Sequence, residues 1–123
     1  MNLLSDGFIS GSNLVLDDYL IPLPERVLHL VQNDQAMTLG MRPGEVTVIA
    51  ETGSPNGIHL PGEVEALESD FVHHVQLVHI RTGRWTYAGH CPIDVKLQIG
   101  QRVQASIDPE RLYFFDSSSG VRI

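Results

Sequence analysis

The chain has one cysteine, Cys91, so no disulfide can form within it, which fits a reducing compartment. Lysine is as scarce, with Lys96 alone. Eight Lys and Arg residues stand against fifteen Asp and Glu, a net charge of −7. Binding a phosphate backbone needs several clustered cations, and an anionic membrane surface attracts the same residues. Neither partner suits this balance, and the scattered acids read as an ordinary solvated surface. Because Leu97-Gln98 follows the one lysine, Gly-x-x-x-x-Gly-Lys-Ser/Thr has no place in the sequence. That excludes P-loop hydrolysis of ATP by this chain. No apolar run approaches the roughly 18 residues of a membrane span. No cation precedes Arg26, and Ser5-Asp6 breaks the apolar Leu3-Leu4, so the first residues do not read as a secretory signal. The expectation is a cytoplasmic protein.

What is present points to a small β protein. At 123 residues the chain is long enough for one domain with a real core. Eleven Gly and seven Pro punctuate short alternating segments, which favours strands over helices. The stretch Ile99 to Asp116 holds the densest apolar group. Val103 to Ile107 alternates as a strand, Asp108-Pro109-Glu110 is a turn, and Leu112 to Phe115 reads as the next strand. The two form a hairpin or a corner between sheets, with Leu112, Phe114 and Phe115 closing a barrel or sandwich core. Near the start, Leu3 to Ile9, Leu14 to Leu16 and Tyr19 to Ile21 make a three-stranded meander. Val27, Leu28, Leu30 and Val31 recur at helical spacing behind Pro24, which predicts the only helix, two to three turns over residues 24–33. Phe71 to Arg81 reads as the longest strand, with Glu68-Ser69-Asp70 turning into it and His73 and His79 on one face. Gly89-His90-Cys91-Pro92 breaks the next ladder, Ile93 to Ile99 is strand or loop, and Val121 to Ile123 adds an edge strand. Glu51 to Gly57 is a loop. The fold class is mainly all-β, a barrel or sandwich of about ten short strands with one short helix.

The chemical candidates are weak. His73 and His79 are about 20 Å apart along an extended strand, too far for one zinc ion, and no ligand spacing joins His90 and Cys91 to a third group. Ordinary strand histidines and a buried thiol are the better reading. No Gly-x-Ser-x-Gly elbow accompanies the serines. Glu63 and Glu65 share a strand face without a cleft to serve. Arg84-Trp85-Thr86-Tyr87 mixes cation and aromatics as single-strand nucleic-acid platforms do. The acidic whole favours instead a turn with exposed Arg and one aromatic packed inward.

Three ordered stretches carry a resemblance: Leu39-Gly40-Met41-Arg42-Pro43; Gly62-Glu63-Val64-Glu65-Ala66-Leu67-Glu68 with His74-Val75; and Ile99-Gly100-Gln101-Arg102-Val103 leading to Asp108-Pro109-Glu110-Arg111-Leu112 and Phe115-Asp116 before Gly120. Together they resemble the C-terminal regulatory domain of the ATPase subunit of maltose- and glycerol-3-phosphate-type ABC importers, a TOBE-type, OB-like barrel. Met1-Asn2-Leu3-Leu4 is similar to the junction that follows the ATPase domain there. The match covers nearly the whole chain. It departs from the family at Gly44, which intervenes between Arg42-Pro43 and Glu45. The Ser54-Pro55-Asn56 loop and the Gly89 to Pro92 segment are not family signatures.

The resemblance implies that residues 1–123 are one regulatory domain of a longer ATP-binding subunit, without catalysis or cofactor of its own. ATP and Mg would belong to the parent. The implied partners are a second copy of the domain, the ATPase domain of the same chain and, through the parent, membrane permease subunits, with no nucleic acid. The location implied is cytoplasmic, peripheral to the inner membrane. Gly40, Arg42, Pro43, Asp108, Pro109 and Glu110 are the residues singled out, for turn architecture and interface rather than catalysis. Two other functions stay open: a barrel sensing an oxyanion or sugar phosphate through backbone amides near Gly40 or Gly100, and a single-strand nucleic-acid binder. The transported sugar is not legible.

Overall fold

The computed structural model describes residues 1–50 and 58–123, so the loop expected over Glu51 to Gly57 lies outside the described residues. The elements in chain order are β1 (Asn2–Ser10), β2 (Asn13–Leu16), β3 (Tyr19–Pro22), α1 (Glu25–Leu28), β4 (Ala36–Met41), β5 (Val46–Ile49), β6 (Ile58–Asp70), β7 (Val75–Thr82), β8 (Trp85–Pro92), β9 (Arg102–Ile107) and β10 (Tyr113–Asp116). Single 3-10 turns stand at Pro43–Glu45 and Pro109–Arg111. The mainly all-β architecture expected from the turn spacing is present. The chain divides into two compact units, Met1–Met41 with Asp108–Ile123, and Arg42–Ile107. The second is therefore inserted, in chain order, between β4 and β10 of the first.

The first unit is an antiparallel sheet in the order β10-β4-β1-β2-β3. Its meander forms as expected, turning at Gly11 (φ 60°) and Asp17 (φ 52°). Leu4, Ile9, Leu14, Leu16, Leu39 and Phe114 alternate onto the buried face. The helix is one turn rather than two or three. Only Val27 of its apolar residues is buried, and Leu30 is 62% exposed. A longer helix would have no core to pack on, and short helices need that packing. The backbone beyond it is drawn to β1 instead, through Asp34 N–H to the Ile9 carbonyl (2.7 Å) and Ile9 N–H to the Gln35 carbonyl (3.0 Å).

The second unit is a closed barrel, β5-β8-β7-β6-β9. All pairings are antiparallel except β5 with β8, where Thr47 faces His90. Val78, Ile80, Trp85, Tyr87, Cys91, Val103, Ala105 and Ile107 fill it from alternate positions. Four expectations are corrected here. The longest strand is β6, which runs through Glu68-Ser69-Asp70. Phe71 to His74 is a turn, so His73 shares no strand face with His79. The cause is Asp70, whose carboxylate accepts from the Val72 and His73 N–H groups, both at 3.1 Å, while His74 takes φ 57°. Gly89 does not break the ladder, because β8 passes through to Pro92. A Cβ at Gly89 would lie 2.8 Å from Val46 Cγ1 and 2.9 Å from the Val46 carbonyl, so glycine lets β5 approach. Finally, Leu112 and Phe114 belong to the core of the sheet unit, not the barrel, and Phe115 is only half-buried.

Ile93 to Ile99 forms no strand, and Val121 to Ile123 contributes a single bridge, Phe115 with Arg122. The turn at Asp108 is the corner of the two readings offered, since β9 pairs in the barrel and β10 in the sheet.

Gly89→Ala is expected to lower stability by about 1–3 kcal/mol through overpacking against β5. Gly44→Ala, where a Cβ meets nothing within 4 Å, is expected to stay within about 0.5 kcal/mol of the parent. Urea unfolding of both variants checks the pair, and equal midpoints would show that the close approach is not constraining.

Candidate functional site

The singled-out residues serve architecture first. Gly40 lies on β4 opposite both Leu3 and Tyr113. A Cβ there would meet Phe115 Cε2 at 2.7 Å and Met1 Sδ at 2.8 Å, so the position admits hydrogen alone. Arg42 and Pro43 open the 3-10 turn ahead of β5, and the Pro43 carbonyl accepts from His90 Nδ1 at 3.1 Å. Asp108 caps the second turn by accepting from the Glu110 N–H at 3.0 Å, and Pro109 supplies the fixed φ of its first position. Gly40, Asp108, Pro109 and Glu110 belong to the sheet unit, and Arg42 and Pro43 to the barrel unit. The two motifs flank the two points at which the chain passes from one unit to the other.

Sequence reasoning missed what Glu110 meets. Arg26, from α1, donates through Nη2 to the Leu112 carbonyl (2.8 Å) and pairs through Nε with Glu110 (3.7 Å). Across the same groove Arg122 lies over the Tyr113 ring, 5.5 Å from its centre. The groove is open, about 280 Å³, and lined by Arg26, Glu110, Leu112, Tyr113, Arg122 and Ile123. No local pattern joins Arg26 to residues more than eighty positions away, so no sequence signal could have found it.

A second open groove, about 420 Å³, lies in the barrel unit between Glu68, Ser69, Asp70, Val75, Leu77 and His90. Its two carboxylates are engaged by histidines outside the lining. His73 Nδ1 donates to Asp70 at 2.7 Å, and His79 pairs with Glu68 at 3.4 Å. The His73 ring, then the His73 backbone N–H, hold the Asp70 carboxyl below the usual carboxylate range. Burial pushes the Cys91 thiol up, against a hydrogen bond from Gln76. Among the described residues no group of three or more His, Cys, Asp or Glu is placed to hold a metal ion. Glu63 and Glu65 both reach Arg81, at 3.3 and 3.4 Å. Trp85 is packed inward with Arg84 over its ring at 4.8 Å.

The closed five-stranded barrel and its companion sheet define the class by fold: an OB-like, mainly β protein. No family model and no curated protein matches the chain. Among solved structures the fold is similar to that of the cytoplasmic molybdate-binding protein ModG, determined with molybdate bound. The TM-score is 0.67 at 12% identity, over 92% of this chain and 94% of that one. None of the described helices is long and apolar enough to cross a membrane.

Because the folded pKa of Asp70 is depressed, its contribution to stability is complete above the ordinary Asp range. It is lost as the pH falls through the depressed value. His73→Ala is expected to move the Asp70 midpoint up toward that ordinary range in an NMR-followed titration. An unchanged midpoint would place the cause outside the His73 contact.

Proposed function

We propose that this chain is a non-catalytic regulatory and dimerisation module of the ATP-binding subunit of a bacterial ABC importer for sugars or glycerol phosphate. The observation that carries the reading is where its family-like motifs fall. Leu39 to Pro43 and Asp108 to Leu112 flank the two crossings between units, and their side chains close turns and pack strands. Motifs that specify a frame, with no reactive constellation attached, suit a module that works by contact. Its partners are a second copy, the ATPase domain of the same chain and, through that parent, permease subunits, in the cytoplasm against the inner membrane. ATP and Mg belong to the parent. A nucleic-acid partner is disfavoured by the inward Trp85 and by Arg81, already held between two carboxylates.

The likeness to ModG favours a second reading, a barrel that binds a small oxyanion. Two measurements separate the readings. Sedimentation of the purified chain over rising concentration is expected to reveal reversible self-association without ATPase activity. A strictly monomeric chain that gives saturable heat with molybdate or sulfate would put the oxyanion reading first.

A further inference from the structure

We propose that the groove between Arg26 and Arg122 is a binding site for a phosphorylated small molecule. The inference rests on the anion-binding reading and gives it a place and a ligand class. The placement is built by the fold of the sheet unit. Arg122 is carried by a terminal segment that folds back on β10. The Phe115–Arg122 bridge, the bond from Asp116 N–H to the Val121 carbonyl (2.9 Å) and that from Ile123 N–H to the Phe114 carbonyl (2.8 Å) hold it there. Arg26 comes from α1 and is fixed by its bond to the Leu112 carbonyl. The Arg26 guanidinium does not have to be ordered by the ligand, which lowers the entropic cost of binding.

Charge points the same way. The chain carries −7, yet this groove brings together two of its eight Lys and Arg side chains, Arg26 and Arg122, beside the Glu110 carboxylate and the terminal residue Ile123. That carboxylate, Glu110, is 69% exposed and sits 3.7 Å from Arg26, beyond the 2.7–2.9 Å typical of a charge-assisted hydrogen bond. Among the described residues no carboxylate pairs with Arg122, whose contact is the Tyr113 ring. A tetrahedral dianion can displace the loose Glu110 pairing and take paired donors from planar guanidinium groups. A groove of about 280 Å³ exceeds what a bare phosphate fills, and Ile123 and the Tyr113 ring give an organic group a less polar wall. The class that matches is a phosphate monoester of a small polar molecule.

The test is calorimetry on the whole chain with inorganic phosphate, glycerol phosphate and molybdate as probes, at low and high salt. The ester is expected to bind more tightly than inorganic phosphate, and both to weaken with salt. Arg122→Ala is expected to weaken the ester at least about tenfold, the loss of a charge-assisted bond, while Lys96→Ala leaves it unchanged. Glu110→Gln is expected to tighten binding, an effect general destabilisation cannot produce. An unchanged Arg122→Ala, or equal weakening by Lys96→Ala, would overturn the site. Inorganic phosphate binding as tightly as the ester would overturn the ligand class. Molybdate binding that survives Arg122→Ala would leave the oxyanion reading standing with its site elsewhere. No saturable heat from any probe would remove both.

Discussion

The pairing of β10 on β4 is the constraint on which the first unit depends. The chain leaves that unit after Met41 and re-enters it at Asp108. Without the pairing, the sheet loses the strand that seals its far edge. Leu39 faces Phe114 across the ladder, and both are fully buried. Burying two such side chains contributes about 1.5–3 kcal/mol each. The long excursion costs little more in closure entropy than a short one would, because that cost grows only with the logarithm of length. The pairing is possible because Gly40, opposite Tyr113, leaves room for Phe115 and Met1. Asp108 and Pro109 then fix the direction in which the chain comes back. Three of the residues singled out from sequence, Gly40, Asp108 and Pro109, thus act on one event, the return of the chain to its own sheet.

The barrel unit solves a different problem, that of closure. Its five strands leave no open edge, and the join between β5 and β8 is the weakest, with one parallel pair of residues. Gly89 sits beside that join and admits the Val46 and Val48 side chains. The buried Thr82 and Gln76 side chains are satisfied rather than excluded. The Thr82 hydroxyl donates to the Pro61 carbonyl at 2.7 Å and lies 2.8 Å from the Tyr87 hydroxyl. Gln76, nearly buried, donates to the Pro92 and Val95 carbonyls. Those two bonds hold the segment after β8 without making it a strand, and its alternating Ile93, Val95 and Leu97 are only half-buried.

What was legible follows from which forces are local. Alternation is local, so β1 to β5 and β9 lie close to where the apolar pattern puts them. Turn chemistry is local too, and Gly11, Asp17 and Pro109 mark real turns. The failures occur where a tertiary contact outweighs the pattern. Phe71 and Val72 look like strand residues, but the Asp70 carboxylate closes a turn that leaves them 75% and 83% exposed. Val27 to Val31 has helical spacing, but strand β1 claims the backbone that follows. Gly89 reads as a breaker only while its neighbour Val46 is unknown. The groove at Arg26 and Arg122 joins opposite ends of the chain, and no window of sequence contains it.

The direction of the titration shifts says how ready Cys91 and Asp70 are for chemistry. A general acid or base works best with a pKa near the operating pH. A nucleophilic cysteine needs a lowered one. Here Cys91 is pushed up by burial, away from the thiolate, and Asp70 is held down by His73, away from neutrality. Both shifts run opposite to what activation requires. The cations follow the same logic of restraint. Arg81 sits between Glu63 and Glu65, and Arg111 pairs with Asp108 at 3.7 Å. Such pairs set solubility and local order more than stability. Against that background the sheet unit places Arg26 and Arg122 in one groove, with Arg122 over the Tyr113 ring rather than on a carboxylate, and binding is the use proposed for that arrangement.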